Sequence, residues 1–467
     1  MVPKKIKELG VLSLVLLNFS VVVGLRGLPL LASYGISSIF FYAIAAVCFL
    51  IPISLVCAEL ATGWPKSGGV YGWAKEAFGE KFGFLTVWLQ WAPNILWYPI
   101  ALSFFAATFS FIFVSPSITS SPWFIPTVII SVYWIATVVN LRGFELAKNL
   151  TSVLTVVGVM LPAFLVIFFA LDWLRLGQPS YASLDLSAII PTFTGIGSIA
   201  FAIGVFSSYS GMEVHAVRAM NLRNPAKDYP KAIFISAILA FVFFSLGTLS
   251  IAILVPSSQL NLMTGLMEAA KGFLSAFSRT GLVPVIASMI CLGLVGQVVS
   301  WISGPSKGLL IAAKNGNLPK FFSYQNENGV QSNILFVQGI AVTLVALLFL
   351  VFRSTELFYW FLTDLYTHLY LIMYLLLFAA AIKLRYSQPN AKRAFSIPGG
   401  KLGVWLVAGV GFVSTLAGFI VGFFPPAGLP KEMVFAYEAV LFVSILLIGG
   451  LPLAIYKFRK NWVPANR

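Results

Sequence analysis

The chain has 467 residues, 59% of them apolar and only 10% charged, whereas ordinary globular chains carry about 25% charged residues. Its 30 Lys and Arg against 15 Asp and Glu give a net charge of +15, which in a polar chain would point to nucleic acid; so apolar a chain excludes that class. Cys48, Cys57 and Cys291 fall inside apolar runs, and His215 and His368 are the only histidines. Neither a disulfide framework nor a metal cluster is expected, and no cofactor. The pattern is that of an all-α polytopic membrane protein whose first partner is the lipid bilayer.

A hydrocarbon core of about 30 Å needs about 20 apolar residues per helix. Twelve spans are predicted on that basis, at 11–35, 38–62, 82–114, 123–140, 150–171, 192–216, 230–255, 281–305, 333–352, 357–383, 402–424 and 434–457. The first is too long and Leu-rich for a cleaved signal. With an even number of spans both termini share one side. If that side is the cytoplasm, its loops hold 24 of the 30 basic residues. The opposite side holds Arg175, Lys271, Arg279, Arg353 and Lys431, and Arg26 lies within the first span. This asymmetry obeys the positive-inside rule and predicts cytoplasmic termini.

Two spans are not clean helices. The first contains Val23-Gly24-Leu25-Arg26-Gly27-Leu28-Pro29, and the sixth contains Ser207-Ser208-Tyr209-Ser210-Gly211-Met212-Glu213. Glycine costs entropy in a helix and proline removes a ladder hydrogen bond. Unwound backbone at membrane depth is tolerated where it is buried in protein or lines a cavity, and broken spans at corresponding positions of two halves point to a transporter site. Close packing of Gly-kinked helices is the competing reading. The five-helix spacing suggests two inverted repeats followed by two extra helices. That divides the chain into an N-terminus 1–10, a first repeat 11–171, a second repeat 192–383, two helices over 402–457, and a short cytoplasmic tail 458–467.

The loops carry a family resemblance. Pro65-Lys66-Ser67-Gly68-Gly69-Val70-Tyr71-Gly72-Trp73 and Asn224-Pro225-Ala226-Lys227-Asp228-Tyr229-Pro230 resemble signatures of the amino acid–polyamine–organocation (APC) transporters. Trp301-Ile302-Ser303-Gly304-Pro305-Ser306-Lys307-Gly308, Asn315-Gly316-Asn317-Leu318-Pro319 and Phe395-Ser396-Ile397-Pro398-Gly399-Gly400 look like the bacterial glutamate/GABA antiporter subfamily. The resemblance implies a LeuT-type fold of five plus five inverted helices and two more, in a bacterial inner membrane, with an amino acid as substrate. It also implies that Val22, Val23, Gly24, Leu25 and Arg26 offer free amides to the substrate carboxylate, and that Ser207, Ser208, Tyr209, Ser210 and Gly211 offer carbonyls to its ammonium. Trp301 matches a gating aromatic; Tyr370 and Tyr374 match a tyrosine pair. A lipid-facing or interfacial tryptophan is the alternative for Trp301, and packing is the alternative for the two tyrosines. Three positions depart from the pattern: Arg26 stands where a tyrosine is expected, Gln297 where a glutamate is, and Asp364 has no acidic counterpart. Glutamate/GABA specificity is therefore not carried over.

Charges within spans are rare and usually paired. Glu59 is expected to be structural or part of an inner gate, Glu213 to organise the second break or the inner gate, with proton carriage as its alternative, and His215 to lie at that helix's inner end. An unpaired Arg26 at membrane depth would cost at least ~2.5–3.5 kcal/mol, so it is expected to meet Asp364 or a substrate carboxylate. His368, one turn beyond Asp364, could bond to it and make transport pH-dependent; a histidine satisfied in a helix interface is the simpler alternative. The function expected is a secondary active amino acid exchanger working by alternating access. A proton- or sodium-coupled symporter and a transport-incompetent sensor stay open. No nucleotide-binding motif supports an ATP-driven pump, no acid–base or metal-binding arrangement supports an enzyme, and the short tail predicts no cytoplasmic plug.

Overall fold

The computed structural model describes residues 9–65, 68–112, 121–191, 205–206, 208–216, 222–352, 354–424 and 431–459, with backbone alone for Glu356 and Lys431. The described residues are helical, joined by turns. In chain order the helices are α1 (Val11–Val22), α2 (Leu25–Tyr34, a 3₁₀ helix), α3 (Ser37–Gly63), α4 (Val70–Phe78), α5 (Glu80–Phe109), α6 (Phe124–Leu141) and α7 (Phe144–Arg175). Then come α8 (Pro225–Leu254), α9 (Gly265–Ala276), α10 (Val283–Lys314), α11 (Ser332–Leu347), α12 (Thr355–Ser387), α13 (Gly400–Val421) and α14 (Lys431–Phe458). Ten described helices are long and apolar enough to cross a membrane, eleven if the bent pair α1–α2 is one span. The twelfth expected span, 192–216, lies mostly outside the described residues.

Several helices outrun their predicted spans. α7 begins at Phe144, held by the Glu145–Lys148 ion pair of 2.7 Å one turn in, and α10 continues past Pro305 to Lys314. Bilayer thickness limits an apolar run, whereas a helix continues into the headgroup region wherever polar side chains reach water. The short helices α4 and α9 lie in stretches read as loops; at 9 and 12 residues they are shorter than a span.

Burial ranks the helices. In the most apolar window of α5, 83% of residues lie inside the protein, against 17% for α14 and 28% for α13. Thus α5, with α10 and α12 against it, forms the core, while α13 and α14 stand outside with apolar faces suited to lipid. Prolines at helix breaks are answered locally. Pro52 has no N–H to give the Cys48 carbonyl, and the Ser414 hydroxyl of α13 donates to it instead at 2.7 Å. Pro162 likewise cannot serve the Gly158 carbonyl, and there α7 widens into a π turn over Val156–Met160. At that turn α7 meets α10 backbone to backbone: a Cβ on Gly293 would lie 2.2 Å from the Gly158 oxygen. The approach fixes the height of α10, which carries Gln297 and Trp301 one and two turns further on.

A single parallel β-bridge among the described residues joins Leu9, before α1, to Leu222, before α8.

Candidate functional site

Between α1 and α2 the chain leaves helical geometry at Val23 (φ −86°, ψ 95°) and Gly24 (φ −101°, ψ 117°), and the axis turns by 55°. The Gly24 amide folds back to the Val22 carbonyl at 3.1 Å and Gly27 to Gly24 at 2.9 Å. The amides of Leu25 and Arg26 have no acceptor among the described residues. They form the open, positive end of α2, suited to an anion. On the α1 side, the Val21 carbonyl accepts from the Trp301 indole at 3.1 Å and the Gln297 amide at 3.5 Å. A Cβ on Gly24 would come within 3.1 Å of that Gln297 nitrogen. α10 thus supports the break from the side.

A cavity of about 30 Å³ opens beside it. Val22, Gly24, Arg26, Ser208, Ser210, Gln297 and Trp301, all expected at a site, line it together. So do Val21, Gly27, Trp97, Phe244 and Tyr366, which sequence reasoning missed. On this measure a water needs about 10–15 Å³, so an amino acid enters only if a wall moves outward. Trp301 belongs to an aromatic wall, its ring 5.2 Å from Trp97 and 5.9 Å from Tyr370. Val23 and Leu25 are buried in the break itself. Tyr209 packs against Tyr42 and Phe244. Ser207 lies outside the described residues.

Tyr370 and Tyr374 do not line this cavity; they hold Glu213. The buried Glu213 carboxylate accepts from Tyr370 at 2.8 Å, Tyr374 at 2.7 Å and the Gln90 amide of α5 at 3.4 Å. The Tyr374 oxygen also accepts the Gly211 N–H at 2.8 Å. Gly211 sits at φ +117°, open to glycine, and a Cβ there would be 2.5 Å from Val21. One phenol therefore ties the second break to α12. His215 joins the same region through Ser300 at 3.1 Å, which also accepts from Ser20 of α1 at 3.1 Å. Tyr374→Phe is expected to cost about 1–3 kcal/mol, because it strips partners from both a buried amide and a carboxylate. Tyr370→Phe, which touches only the carboxylate, is expected to cost less; thermal melts in detergent compare them.

The remaining ionisable residues are spread apart. Arg26 donates to the Tyr359 hydroxyl of α12 at 3.0 Å, and no described carboxylate lies within ion-pair distance of it. Asp364, five residues along α12, faces away and accepts from Tyr437 of α14. The expected Arg26–Asp364 pairing is thus replaced by two tyrosine contacts. His368 meets Asp364 through its backbone carbonyl, at 2.7 Å from Nδ1, and its ring packs on Phe419 of α13 and on Phe423 just beyond that helix. Glu59 is paired with Arg385, lies 3.2 Å from Arg393, and accepts the Ile397 N–H at 2.8 Å. Asp364, His368 and Glu59 stand away from the cavity lining, whereas Arg26 is part of it.

The amino acid permease family model matches residues 9–449, and the chain belongs to that family, within the APC superfamily. It is a multi-pass membrane protein of a transporter family. An uncharacterized transporter of Legionella pneumophila is 39% identical over 96% of this chain and 95% of its own length. A glutamate/gamma-aminobutyrate antiporter of Lactococcus lactis is 28% identical over 97% of this chain and 90% of its own. A probable agmatine/putrescine antiporter of the same species is 26% identical over 89% and 88%.

Proposed function

We propose that the chain is a secondary active amino acid exchanger of a bacterial inner membrane, working by alternating access. On this reading it has twelve spans: inverted repeats over 11–171 and 192–383, two peripheral helices over 402–457, and cytoplasmic termini. The observation that carries it is the cavity at the α1–α2 break, which Gly24 and Arg26 line together with Gln297 and Trp301 of α10. Antiporter names among its bacterial relatives support exchange. The substrate carboxylate docks on the Leu25 and Arg26 amides, and its ammonium on the second break near Ser208 to Gly211. Trp301 and Gln297 must then leave the Val21 carbonyl for the cavity to admit a ligand, which makes them the gate. Glu213, held between the two breaks by tyrosines, organises the second one. Asp364 and His368 have no assigned part in the substrate path.

Counterflow tests this. Proteoliposomes loaded with unlabelled amino acid are expected to take up labelled amino acid, and empty vesicles are not. Uptake into empty vesicles driven by an imposed proton or sodium gradient would instead establish a symporter.

A further inference from the structure

Arg26 is a fixed cation in the wall of the cavity. Its guanidinium gives one hydrogen bond to a neutral phenol, Tyr359, and has no ion-pair partner among the described carboxylates. The two acids that could have neutralised it are held elsewhere: Glu213 by Tyr370, Tyr374 and Gln90, and Asp364 by Tyr437. A guanidinium offers five N–H donors in a planar fork that fits a carboxylate. Tyr359 fixes the fork without cancelling its charge. Beside it, the Leu25 and Arg26 amides at the start of α2 have no acceptor among the described residues, and such a helix end suits a second anion. The wall thus presents two places for negative charge on consecutive residues, one on backbone and one on a side chain.

We propose that Arg26 is the specificity-determining residue of this site, and that it selects amino acids carrying two carboxylates. The α-carboxylate takes the amides of the break and the side-chain carboxylate takes the Arg26 fork. An amine that has lost its α-carboxylate can fill one anion position but not both. A cationic amino acid or diamine meets a like charge. Both partners of the exchange are therefore dicarboxylic amino acids, unlike the glutamate and γ-aminobutyrate that the name of one Lactococcus relative gives. This rests on the exchanger reading above.

The test uses the full-length protein in vesicles loaded with L-glutamate, with labelled L-aspartate outside. L-Glutamate is expected to compete, while L-glutamine, γ-aminobutyrate, L-leucine and L-arginine compete at least about 10-fold less well, the factor a lost charge-assisted hydrogen bond implies. Arg26→Gln is expected to weaken L-aspartate and L-glutamate about 10- to 100-fold while changing L-glutamine little, and Arg26→Lys to recover part of the loss. Wild-type protein that prefers neutral or cationic amino acids overturns the proposal. So does an Arg26→Gln protein, monodisperse in detergent, with unchanged preference. Because the wild-type ranking needs no variant, misfolding of Arg26→Gln leaves the proposal testable. If vesicles exchange nothing, the exchanger reading fails, and the same ranking by ligand-induced thermal shift still decides the role of Arg26.

Discussion

Gly293→Val is expected to remove the folded protein. At the crossing of α7 and α10 a Cβ on Gly293 would lie 2.2 Å from the Gly158 oxygen, and one on Gly158 would lie 2.2 Å from the Gly293 nitrogen. The obstacle is backbone on both sides, so no rotamer change relieves it. Overpacking a core costs typically 1–3 kcal/mol when side chains can shift; here the helices themselves must separate, and more than about 3 kcal/mol is expected. Small residues at helix crossings in membranes serve this close approach. Gly450→Val is the control, because nothing lies within 4 Å of a Cβ at that position of α14. The yield of monodisperse protein and its melting temperature decide between them. Equal stability of the two variants would refute the close crossing.

Glu59→Ala is the second large effect. Side-chain exposures of Glu59 (4%), Arg385 (12%) and Arg393 (5%) make this a buried cluster of one acid and two bases. Removing one partner of a buried ion pair costs about 3–5 kcal/mol, since the remaining charge is left uncompensated; here two guanidinia lose their counter-charge at once. The same carboxylate accepts the Ile397 N–H, and Thr62 pairs with the Phe395 amide at 3.1 Å. Arg393 lies over the Trp64 ring at 5.0 Å and donates to the carbonyls of Leu384 and Gln388. The cluster thus fastens the α12–α13 connection to the end of α3. Glu59→Gln, which keeps an acceptor for Ile397, is expected to lose less than Glu59→Ala. In thermal melts a Glu59→Ala/Arg393→Ala double variant is expected to lose less than the sum of the two single ones.

Most of the membrane-crossing elements were legible in the sequence, because an apolar run reports directly on bilayer thickness. The first break was legible as well, since Gly24, Arg26, Gly27 and Pro29 conflict with a continuous helix. The partners of the charges were not. Asp364 shares α12 with Tyr359, the partner of Arg26, yet five residues along the helix rotate its side chain to another face, toward Tyr437 of α14. Tyr359, Tyr366, Tyr370 and Tyr374, spaced by seven, four and four, line one stripe of α12, and that spacing could have named Tyr359 as the contact of Arg26. Nothing in sequence pointed from Glu59 to Arg385 and Arg393, more than 300 positions away. The position of Gln297 against Gly24 was equally hidden, because it depends on the Gly158–Gly293 crossing that sets the height of α10.

The bridge between Leu9 and Leu222 has a mechanical meaning. Leu9 enters α1 directly, and Leu222 follows the second break by eleven residues from Gly211. Both leucines are buried, at 1% and 5% exposure, so water does not compete for the backbone bonds that join them. The bridge therefore ties the chain entering α1 to the chain entering α8 by main chain. This link is made by backbone, whereas Ser20, Ser300 and His215 join α1 to the second break through side chains.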